Sequence, residues 1–224
     1  MVLSDEKVNL KAIFTSLVTA LDLSDNYTRG HSDRVGSLAT AMGIELELST
    51  RELQILQDAS VLHDIGKIGI RKDVLNKPGA LTAEEFTEVK QHVVFGHNIL
   101  KPLDIPELLD ITLYHHERVD GKGYPEGRSD YPILVRVLQI ADVWDALTSD
   151  RPYREAMSPA EARKLMNTQD NRFGFDAGIL EAFLRLTRFL MPDFDVDPDE
   201  MDKQMQEIEE LKESIESAAL TGKS

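Results

Sequence analysis

ILVRVLQIADVWDAL, residues 133–147, is the segment that most constrains the architecture, because it is apolar on nearly every side. A helix that is apolar all round belongs in the centre of a bundle. Asp142 lies inside this segment, between Ala141 and Val143. Burying a carboxylate without a partner costs roughly several kcal/mol, so the side chain needs a cation or strong donors. Taken alone, Asp142 fits a buried salt bridge or helix cap as well as a metal ligand.

Apolar residues recur at helical spacing on both sides of this segment, and polar capping residues precede several of the repeats. Ser49 is followed by Glu52 at the capping-box position, and Thr82 is followed by Glu85. The predicted helices cover about residues 8–23, 32–42, 50–62, 82–95, 106–113, 133–147 and 179–190, with a short one after Ser158 and a loop over 68–80. No segment has the pattern of a strand, so we expect an all-α fold.

Composition limits the classes of protein to which the chain can belong. The 224 residues suffice for one sizeable core, and the absence of cysteine means that nitrogen and oxygen atoms must hold any metal. The N-terminal residues lack the pattern of a signal peptide, and no run approaches the ~18 apolar residues of a membrane span. The net charge of −15 argues against binding to nucleic acid polymers or anionic membranes. We therefore expect a cytoplasmic protein that concentrates cations locally for any anionic substrate.

The composition becomes acidic from Asp197 onward. Apolar residues recur there at steps of three and four, at Ile208, Leu211, Ile215 and Ala218. This spacing is that of a coiled coil, but it persists for only about two heptads. We expect one domain over residues 1–196, with its core at about 10–190, and an acidic helical tail over 197–224. The tail is either a solvated helix or the contact of a homodimer.

Residues 114–125, YHHERVDGKGYP, combine metal-binding side chains with backbone freedom. His115 and His116 offer imidazole nitrogens, the commonest protein ligands for transition metals. Gly121 and Gly123 allow a tight turn and a close approach to a ligand. This combination indicates a functional site, and the remaining ligands must come from elsewhere in the chain.

Five of the six histidines form a coherent series along the predicted helices: His31, His63, His92, His115 and His116. A single histidine on a helix is usually structural, and we assign that role to His97, which does not share a helix face with His92. Asp64 follows His63 directly at the end of an apolar helix. With Asp142, it adds a second carboxylate to the series.

Five histidines and two carboxylates are more ligands than one ion needs. The number suits two ions that share a bridging carboxylate and lie ~3.5–4 Å apart. Mixed imidazole and carboxylate ligation suits iron or manganese, and it is compatible with zinc, nickel or cobalt, whereas magnesium and calcium favour oxygen ligands. We expect two divalent metal ions, iron or manganese.

Several motifs together resemble the HD superfamily of metal-dependent phosphohydrolases and, more narrowly, the HD-GYP family. They are HDIGK at residues 63–67, HHE at 115–117, DGKGYP at 120–125 and GFD at 174–176. The resemblance covers roughly residues 10–190. It implies an HD-domain helical bundle with additional C-terminal helices, so that residues 1–196 would form an HD-GYP catalytic domain. Members of this family hydrolyse cyclic di-GMP, and some act on cyclic GMP-AMP.

The resemblance also implies a role for each candidate residue. His31, His63, Asp64 and Asp142 would hold one ion, and Asp64 would bridge to a second ion held by His92, His115 and His116. Asp64 and Lys67 would be catalytic, with Lys67 on a substrate phosphate. The other substrate contacts would be Gly121, Gly123, Tyr124, Arg151 and Arg154. Without the resemblance, Tyr124 could serve loop packing, and both arginines could belong to a surface loop.

The implied reaction is in-line attack by a metal-bridging hydroxide on a phosphorus of cyclic di-GMP, which gives pGpG and/or GMP. The loop that contains Tyr124 would also contact GGDEF-domain partners. Tyr27 stands where some members carry a glutamate that supports a third metal, so two ions are expected. Two alternatives stay open: a catalytically silent module that binds nucleotide or docks a partner, and an HD phosphohydrolase for another nucleotide such as cyclic GMP-AMP.

Overall fold

The computed structural model describes residues 10–22, 30–150, 154–172 and 174–191. The α-helices are α1 (Leu10–Asp22), α2 (His31–Glu45), α3 (Thr50–Leu62), α4 (Lys72–Leu75), α5 (Ala83–Val89), α6 (His92–Leu100), α7 (Pro106–Tyr114), α8 (Ile133–Thr148), α9 (Pro159–Met166), α10 (Gln169–Arg172) and α11 (Ala177–Leu190). Two short 3-10 helices span Ile65–Gly69 and Lys101–Leu103. These described ranges contain no β-strand, and the predicted all-α fold is confirmed.

Helix α8 lies at the centre of the bundle, where it contacts α2, α3, α7 and α9. Val135, Val137, Leu138 and Ile140 point in different directions around the helix, and each is fully buried. Full burial of such a side chain stabilises the fold by about 1.5–3 kcal/mol. The all-round apolar pattern therefore predicted the position of α8 correctly.

The predicted capping boxes are present at the starts of α3 and α5, and the helix predicted after Ser158 begins with a third box, formed with Glu161. At α3, Ser49 Oγ accepts a hydrogen bond from the Glu52 N–H at 3.3 Å, and the Glu52 carboxylate accepts one from the Ser49 N–H at 2.8 Å. These bonds satisfy backbone donors that have no partner inside the helix. Local sequence was sufficient to locate these three helix starts.

The prediction of one continuous helix from Thr82 to Phe95 is wrong. Helix α5 ends at Val89 and α6 begins at His92, with a break at Lys90 and Gln91. The described side chains of α5 include none that is buried, whereas His92 and Val93 of α6 enter the core. The break reorients the chain so that His92 faces inward. The predicted loop over residues 68–80 also contains the short helix α4.

Residues 1–186 form one compact unit, and residues 187–224 form a second. Of the second unit, the structure describes only 187–191, where the Met191 N–H donates to the Thr187 carbonyl at 2.9 Å. The predicted acidic tail and Tyr27 lie outside the described residues, and a domain boundary at residue 196 stays a prediction. Among the described helices, none is both long and apolar enough to cross a bilayer.

Candidate metal centre

The predicted metal ligands lie at helix ends that converge on α8. His31 is the first residue of α2, and His92 is the first residue of α6. The remaining ligands are His63 and Asp64 directly after α3, His115 and His116 directly after α7, and Asp142 within α8. Five segments of chain that are distant in sequence thus deliver their imidazoles and carboxylates to one region.

The ligands form two groups, each of a size that one metal ion requires. The first group is His31, His63 and Asp64, and the second group is His92, His115 and His116. Within each group, one ligand atom per residue lies within 4.8 Å of the others. The ligand atoms of each group are therefore close enough to converge on one ion.

Asp64 lies between the two groups, with one carboxylate oxygen toward each. Its Oδ2 atom is 3.4 Å from His63 Nε2 and 3.8 Å from His31 Nε2. Its Oδ1 atom is 3.4 Å from His92 Nε2 and 3.9 Å from His115 Nε2. A carboxylate in this position can bridge two cations, one on each side.

Asp142 faces the first group, as the resemblance implied. Its Oδ1 atom is 3.4 Å from His31 Nε2 and 4.0 Å from His63 Nε2. The side chain retains 15% exposure, so the expectation that Asp142 is buried inside the central helix was wrong. It lies at the rim, where a ligand and solvent can both reach it.

Hydrogen bonds at Nδ1 determine which ring nitrogen can bind a metal. In three histidines, the Nδ1 atom faces a backbone carbonyl oxygen. The distance is 2.9 Å from His63 to Ser60, 2.7 Å from His92 to Val89 and 3.0 Å from His115 to Thr112. A carbonyl oxygen only accepts, so Nδ1 carries the proton and Nε2 presents a lone pair. Such contacts are the usual orienting partners of metal-bound histidines.

The unprotonated Nε2 atoms at the site are suited to bind a metal ion. His63 Nε2 is buried without a hydrogen-bond partner among the described residues. His92 Nε2 and His115 Nε2 lie 3.3 Å apart. With both protons on Nδ1, these two nitrogens are acceptors that repel each other, and a cation bound by both would remove the repulsion. The residues present therefore fit two divalent ions with nitrogen and oxygen ligation.

The ionisation states also favour metal binding. Burial lowers the pKa of His92 and of His115 to about 4, and it lowers the pKa of His116 well below its usual value. These imidazoles are neutral near pH 7 and can donate their lone pairs. Burial alone would raise the pKa of Asp64, but Lys67 and the nearby imidazoles hold it well below 3.8, so Asp64 stays ionised.

His31 has a different partner, Asp145, which the sequence reasoning did not identify. Its Nδ1 atom lies 2.7 Å from Asp145 Oδ2, and Arg34 donates to both oxygens of the same carboxylate at 2.5 and 3.0 Å. Burial lowers the pKa of His31, but this hydrogen bond and the charges of Asp142 and Asp64 raise it above 6.5 overall. Asp145 thus orients His31 and makes its ring more basic.

Glu117 is a second residue whose function the sequence reasoning missed. It is fully buried, and its carboxylate accepts three consecutive backbone N–H groups, those of Glu126 at 2.6 Å, Gly127 at 3.0 Å and Arg128 at 3.0 Å. Hydrogen bonds to a charged acceptor are roughly twice as strong as neutral ones. Glu117 therefore ties the loop after the tyrosine to the residues that follow the histidine pair.

Tyr124 covers the second group of histidines. Its N–H donates to the His116 carbonyl at 3.2 Å, and its ring stacks on the His116 ring with centroids 4.8 Å apart. Gly121 has a φ of +73°, which favours glycine. A Cβ atom at Gly123 would lie 2.5 Å from the backbone nitrogen of Arg118, so only glycine fits at this position. The loop over the site depends on both predicted glycines.

Gly66, in the HDIGK motif, brings Asp64 close to the second group. A Cβ atom on Gly66 would collide with the His92 carbonyl oxygen and with the backbone of Gly96. The 3-10 helix Ile65–Gly69 can therefore pack directly on α6 only because this side chain is absent. The close packing places Asp64 within reach of His92.

The predicted phosphate-binding cations have different surroundings. Lys67 Nζ lies 2.6 Å from Asp64 Oδ2, at the edge of the first group. Arg154 donates through Nη2 to the Ala146 carbonyl near the end of α8. Arg151 lies outside the described residues. Lys67 is thus beside the site, and Arg154 is bonded to the helix that carries Asp142.

A cleft of about 450 Å³ opens beside the second group. The residues that line it include His115, His116, Arg118, Tyr124, Asn171 and Phe175. Clefts of 300–1,000 Å³ with apolar walls and a few polar groups are typical of ligand sites. The cleft places a ligand directly against the second group of histidines.

A helical bundle with two histidine groups joined by one aspartate is the arrangement of a metal-dependent phosphohydrolase. The chain belongs to the HD domain family, whose model matches residues 16–179. The HD-GYP resemblance of the motifs is confirmed by relatives of that kind.

Two relatives are each 39% identical to this chain. One is a cyclic di-GMP phosphodiesterase of Pseudomonas aeruginosa; the alignment is 171 residues long and covers 74% of this chain and 40% of the relative. The other is a cyclic di-GMP phosphodiesterase of Thermotoga maritima, aligned over 169 residues, 73% of this chain and 46% of the relative. The chain therefore spans less than half the length of these relatives.

Among solved structures, a cyclic GMP-AMP specific phosphodiesterase of Vibrio cholerae superposes with a TM-score of 0.60. The two sequences are 22% identical, and the superposition covers 82% of this chain and 51% of the Vibrio cholerae chain. A likeness at this level of identity establishes the fold, and it supports the predicted HD-domain bundle.

Proposed function

We propose that this chain is a metal-dependent phosphodiesterase that hydrolyses cyclic di-GMP to pGpG and/or GMP. The observation that carries the proposal is the position of Asp64, whose two oxygens face two separate groups of histidines. Relatives named cyclic di-GMP phosphodiesterases support the choice of substrate. The two groups and Asp142 would hold two divalent ions, iron or manganese, since both metals accept mixed nitrogen and oxygen ligands.

When bound, the two ions would supply Lewis acidity to the phosphate and to the attacking water. The residues of the chain hold this centre and orient the substrate. Asp64 would fix the separation of the two groups, and Lys67 would turn its ammonium from Asp64 to a non-bridging phosphate oxygen. Attack of water on phosphorus would break the bond to the 3′ oxygen and leave a 5′-phosphate.

Further substrate contacts come from the loop and from the segment after α8. Tyr124, with Gly121 and Gly123, would border the phosphate side of the cleft. Arg151 and Arg154 would bind phosphate oxygens, which requires that Arg154 exchange its bond to the Ala146 carbonyl for the ligand. The net charge of −15 makes such local cations necessary for an anionic substrate.

A second candidate substrate is cyclic GMP-AMP. A 36% identical relative from Vibrio cholerae, named for the 3′3′ form of that nucleotide, favours it. Both substrates contain a guanine and a phosphodiester, so the same centre would serve either. Binding to a GGDEF-domain partner through the tyrosine loop, a homodimer and a cytoplasmic location stay predictions.

Separation of nucleotides after incubation of manganese- or iron-loaded protein with cyclic di-GMP tests the proposal. We expect pGpG and/or GMP from the unchanged chain and a loss of at least a hundredfold in rate for Asp64→Ala, because both ions lose their shared ligand. His97→Ala is the matched control, since His97 belongs to neither group, and it should retain the rate.

Failure to form either product, while metal analysis shows two ions bound, would leave the proposal without support for this substrate. Turnover of cyclic GMP-AMP alone under the same conditions would select the second candidate. Binding of nucleotide without turnover of either substrate would select the catalytically silent alternative.

A further inference from the structure

The cleft beside the second group has a wall that the proposed hydrolysis leaves without a role. Helix α8 contributes Gln139, Val143 and Leu147 to it, which are spaced by four residues and therefore lie on one helix face. Leu165, Met166 and Phe175 complete the apolar surface. Within this largely apolar wall lie the polar side chains of Arg118 and Asn171. A flat heterocycle with polar edges matches such a surface.

Arg118 is held rigidly from one side. Its Nε and Nη2 atoms donate to the two oxygens of Asp120 at 3.0 and 2.8 Å. The Nη1 atom has no hydrogen-bond partner among the described residues, so the end of the guanidinium retains free donors. Asp120 fixes the orientation of one edge of the guanidinium, and the other edge is free to donate to a ligand. This arrangement is typical of an arginine that recognises a ligand.

Gly174, from the GFD motif, allows Arg118 to lie where it does. A Cβ atom on Gly174 would be 2.5 Å from Arg118 Cζ and 2.7 Å from both Nη atoms. The shorter distance to Cζ means that Gly174 contacts the flat face of the guanidinium and leaves its end open. This contact gives the GFD motif a role that its sequence did not indicate.

The ion pair with Asp120 favours a neutral ligand group over a phosphate. Because Asp120 compensates the charge of Arg118, the pair offers directed donors without a net positive charge. Lys90 and Lys122 also line the cleft, and among the described residues neither forms an ion pair, so they are better placed to meet phosphate. Arg118 is left to recognise an uncharged edge that carries acceptors.

Guanine has such an edge, with the acceptors O6 and N7 side by side, and two parallel N–H groups of an arginine match it. Adenine presents the N6 amino donor in place of O6, and this donor would face the donors of Arg118. Asn171 donates through Nδ2 to the Leu165 carbonyl at 2.9 Å, which leaves its Oδ1 atom as an acceptor for N–H groups on the opposite edge of guanine.

We propose that this cleft is a guanine subsite in which Arg118 distinguishes guanine from adenine and Asn171 supports the choice. The proposal rests on the proposed function for its assumption that the ligand is a cyclic dinucleotide. It names Arg118 as the residue that determines base preference, whereas the histidine groups and Lys67 act on the phosphate.

Kinetics on cyclic di-GMP and cyclic di-AMP test the assignment. We expect kcat/KM to favour cyclic di-GMP, and Arg118→Lys, which keeps the charge but loses the planar fork, should reduce that preference roughly ten- to a hundredfold. The loss should come from a higher KM for cyclic di-GMP, with kcat little changed. Arg185→Lys is the matched control because Arg185 is exposed on α11.

A second variant addresses the same side chain without altering it. Gly174→Ala places a methyl group against the guanidinium and should displace Arg118, with the same loss of preference. Thermal melts of both variants verify that they fold. An unchanged preference in a folded variant of either kind, or equal rates of the unchanged chain on both dinucleotides, would overturn the assignment.

Two further measurements separate this assignment from the proposed function. Bis(p-nitrophenyl) phosphate is a diester without a base, so its hydrolysis reports the metal centre alone. If the loaded chain hydrolyses this diester but shows no guanine preference, the assignment fails and the phosphodiesterase proposal stands. If it hydrolyses no diester, the proposed function fails, and tighter calorimetric binding of GMP than of AMP, lost in Arg118→Lys, would still support the subsite.

Discussion

Individual side chains at the centre differ in how much of their role the sequence could indicate. The sequence identified five histidines as candidate metal ligands, because few residue types bind transition metals and the motifs that contain these histidines are specific. They are His31, His63, His92, His115 and His116. Asp145 was not, because a second carboxylate three residues after Asp142 gives no sign of whether it faces solvent or His31. Only the packing of α2 on α8 shows that Asp145 faces His31.

The hydrogen bond between Asp145 and His31 predicts a measurable effect on metal affinity. Asp145→Asn keeps the shape of the side chain but removes the negative charge that makes the His31 ring basic. We expect manganese to bind about 10–100-fold more weakly, as is typical when an orienting partner of a ligand is lost. Titration of the metal-free protein with manganese measures the change.

Asp58→Asn serves as the control for this substitution, since Asp58 lies on α3 and accepts a hydrogen bond from Gln54 rather than from a histidine. It should bind manganese like the unchanged chain. Equal affinities for all three proteins would mean that Asp145 stabilises α2 and α8 without influencing the metal centre.

Packing between neighbouring helices sets the separation of the two histidine groups. Gly66→Ala would push the 3-10 helix Ile65–Gly69 away from α6, because the added methyl collides with backbone atoms that cannot rotate aside. We expect a loss of about 3 kcal/mol in the free energy of unfolding. For a chain of this size, that corresponds to a Tm lower by about 6–12 °C. Calorimetry of the metal-free protein measures it.

Gly178→Ala provides the comparison for that experiment. A Cβ atom at Gly178 would meet only Asp176 Oδ1, at 3.5 Å, and Gly178 is exposed near the start of α11. Its Tm should equal or slightly exceed that of the unchanged chain. A Tm drop that is the same in both variants would refute the close contact at Gly66.

Helix starts were predictable wherever a capping box marked them, because the two hydrogen bonds of the box are made within four residues. The break between α5 and α6 was not, since Val89, His92 and Val93 continue an apolar pattern across it. The chain turns there, and the His92 ring enters the interior next to Asp64 and His115. Such a contact between distant segments leaves no trace in local spacing.

For the whole molecule, the two proposed ions are expected to contribute to stability as well as to the proposed hydrolysis. Each ion that binds only the folded state adds about 2.7 kcal/mol at a concentration one hundred times its Kd. Removal with a chelator should therefore lower the Tm by about 5–10 °C per ion. Melting curves of loaded and chelated protein measure the difference.

The Asp64→Ala variant tests whether that loss of stability arises at the centre. Since this variant lacks the shared ligand, chelation should change its Tm little. An equal Tm for loaded and chelated forms of the unchanged chain, at saturating metal, would show that the bundle does not depend on its ions.

The described side chains of α5 are all exposed or half-buried. Phe86 of this helix and Lys90, the residue directly after it, nevertheless line the cleft beside the candidate metal ligands. This short helix can therefore accumulate mutations at little cost to the core. A change in this outer segment would therefore alter the entrance to the cleft and leave the two histidine groups in place.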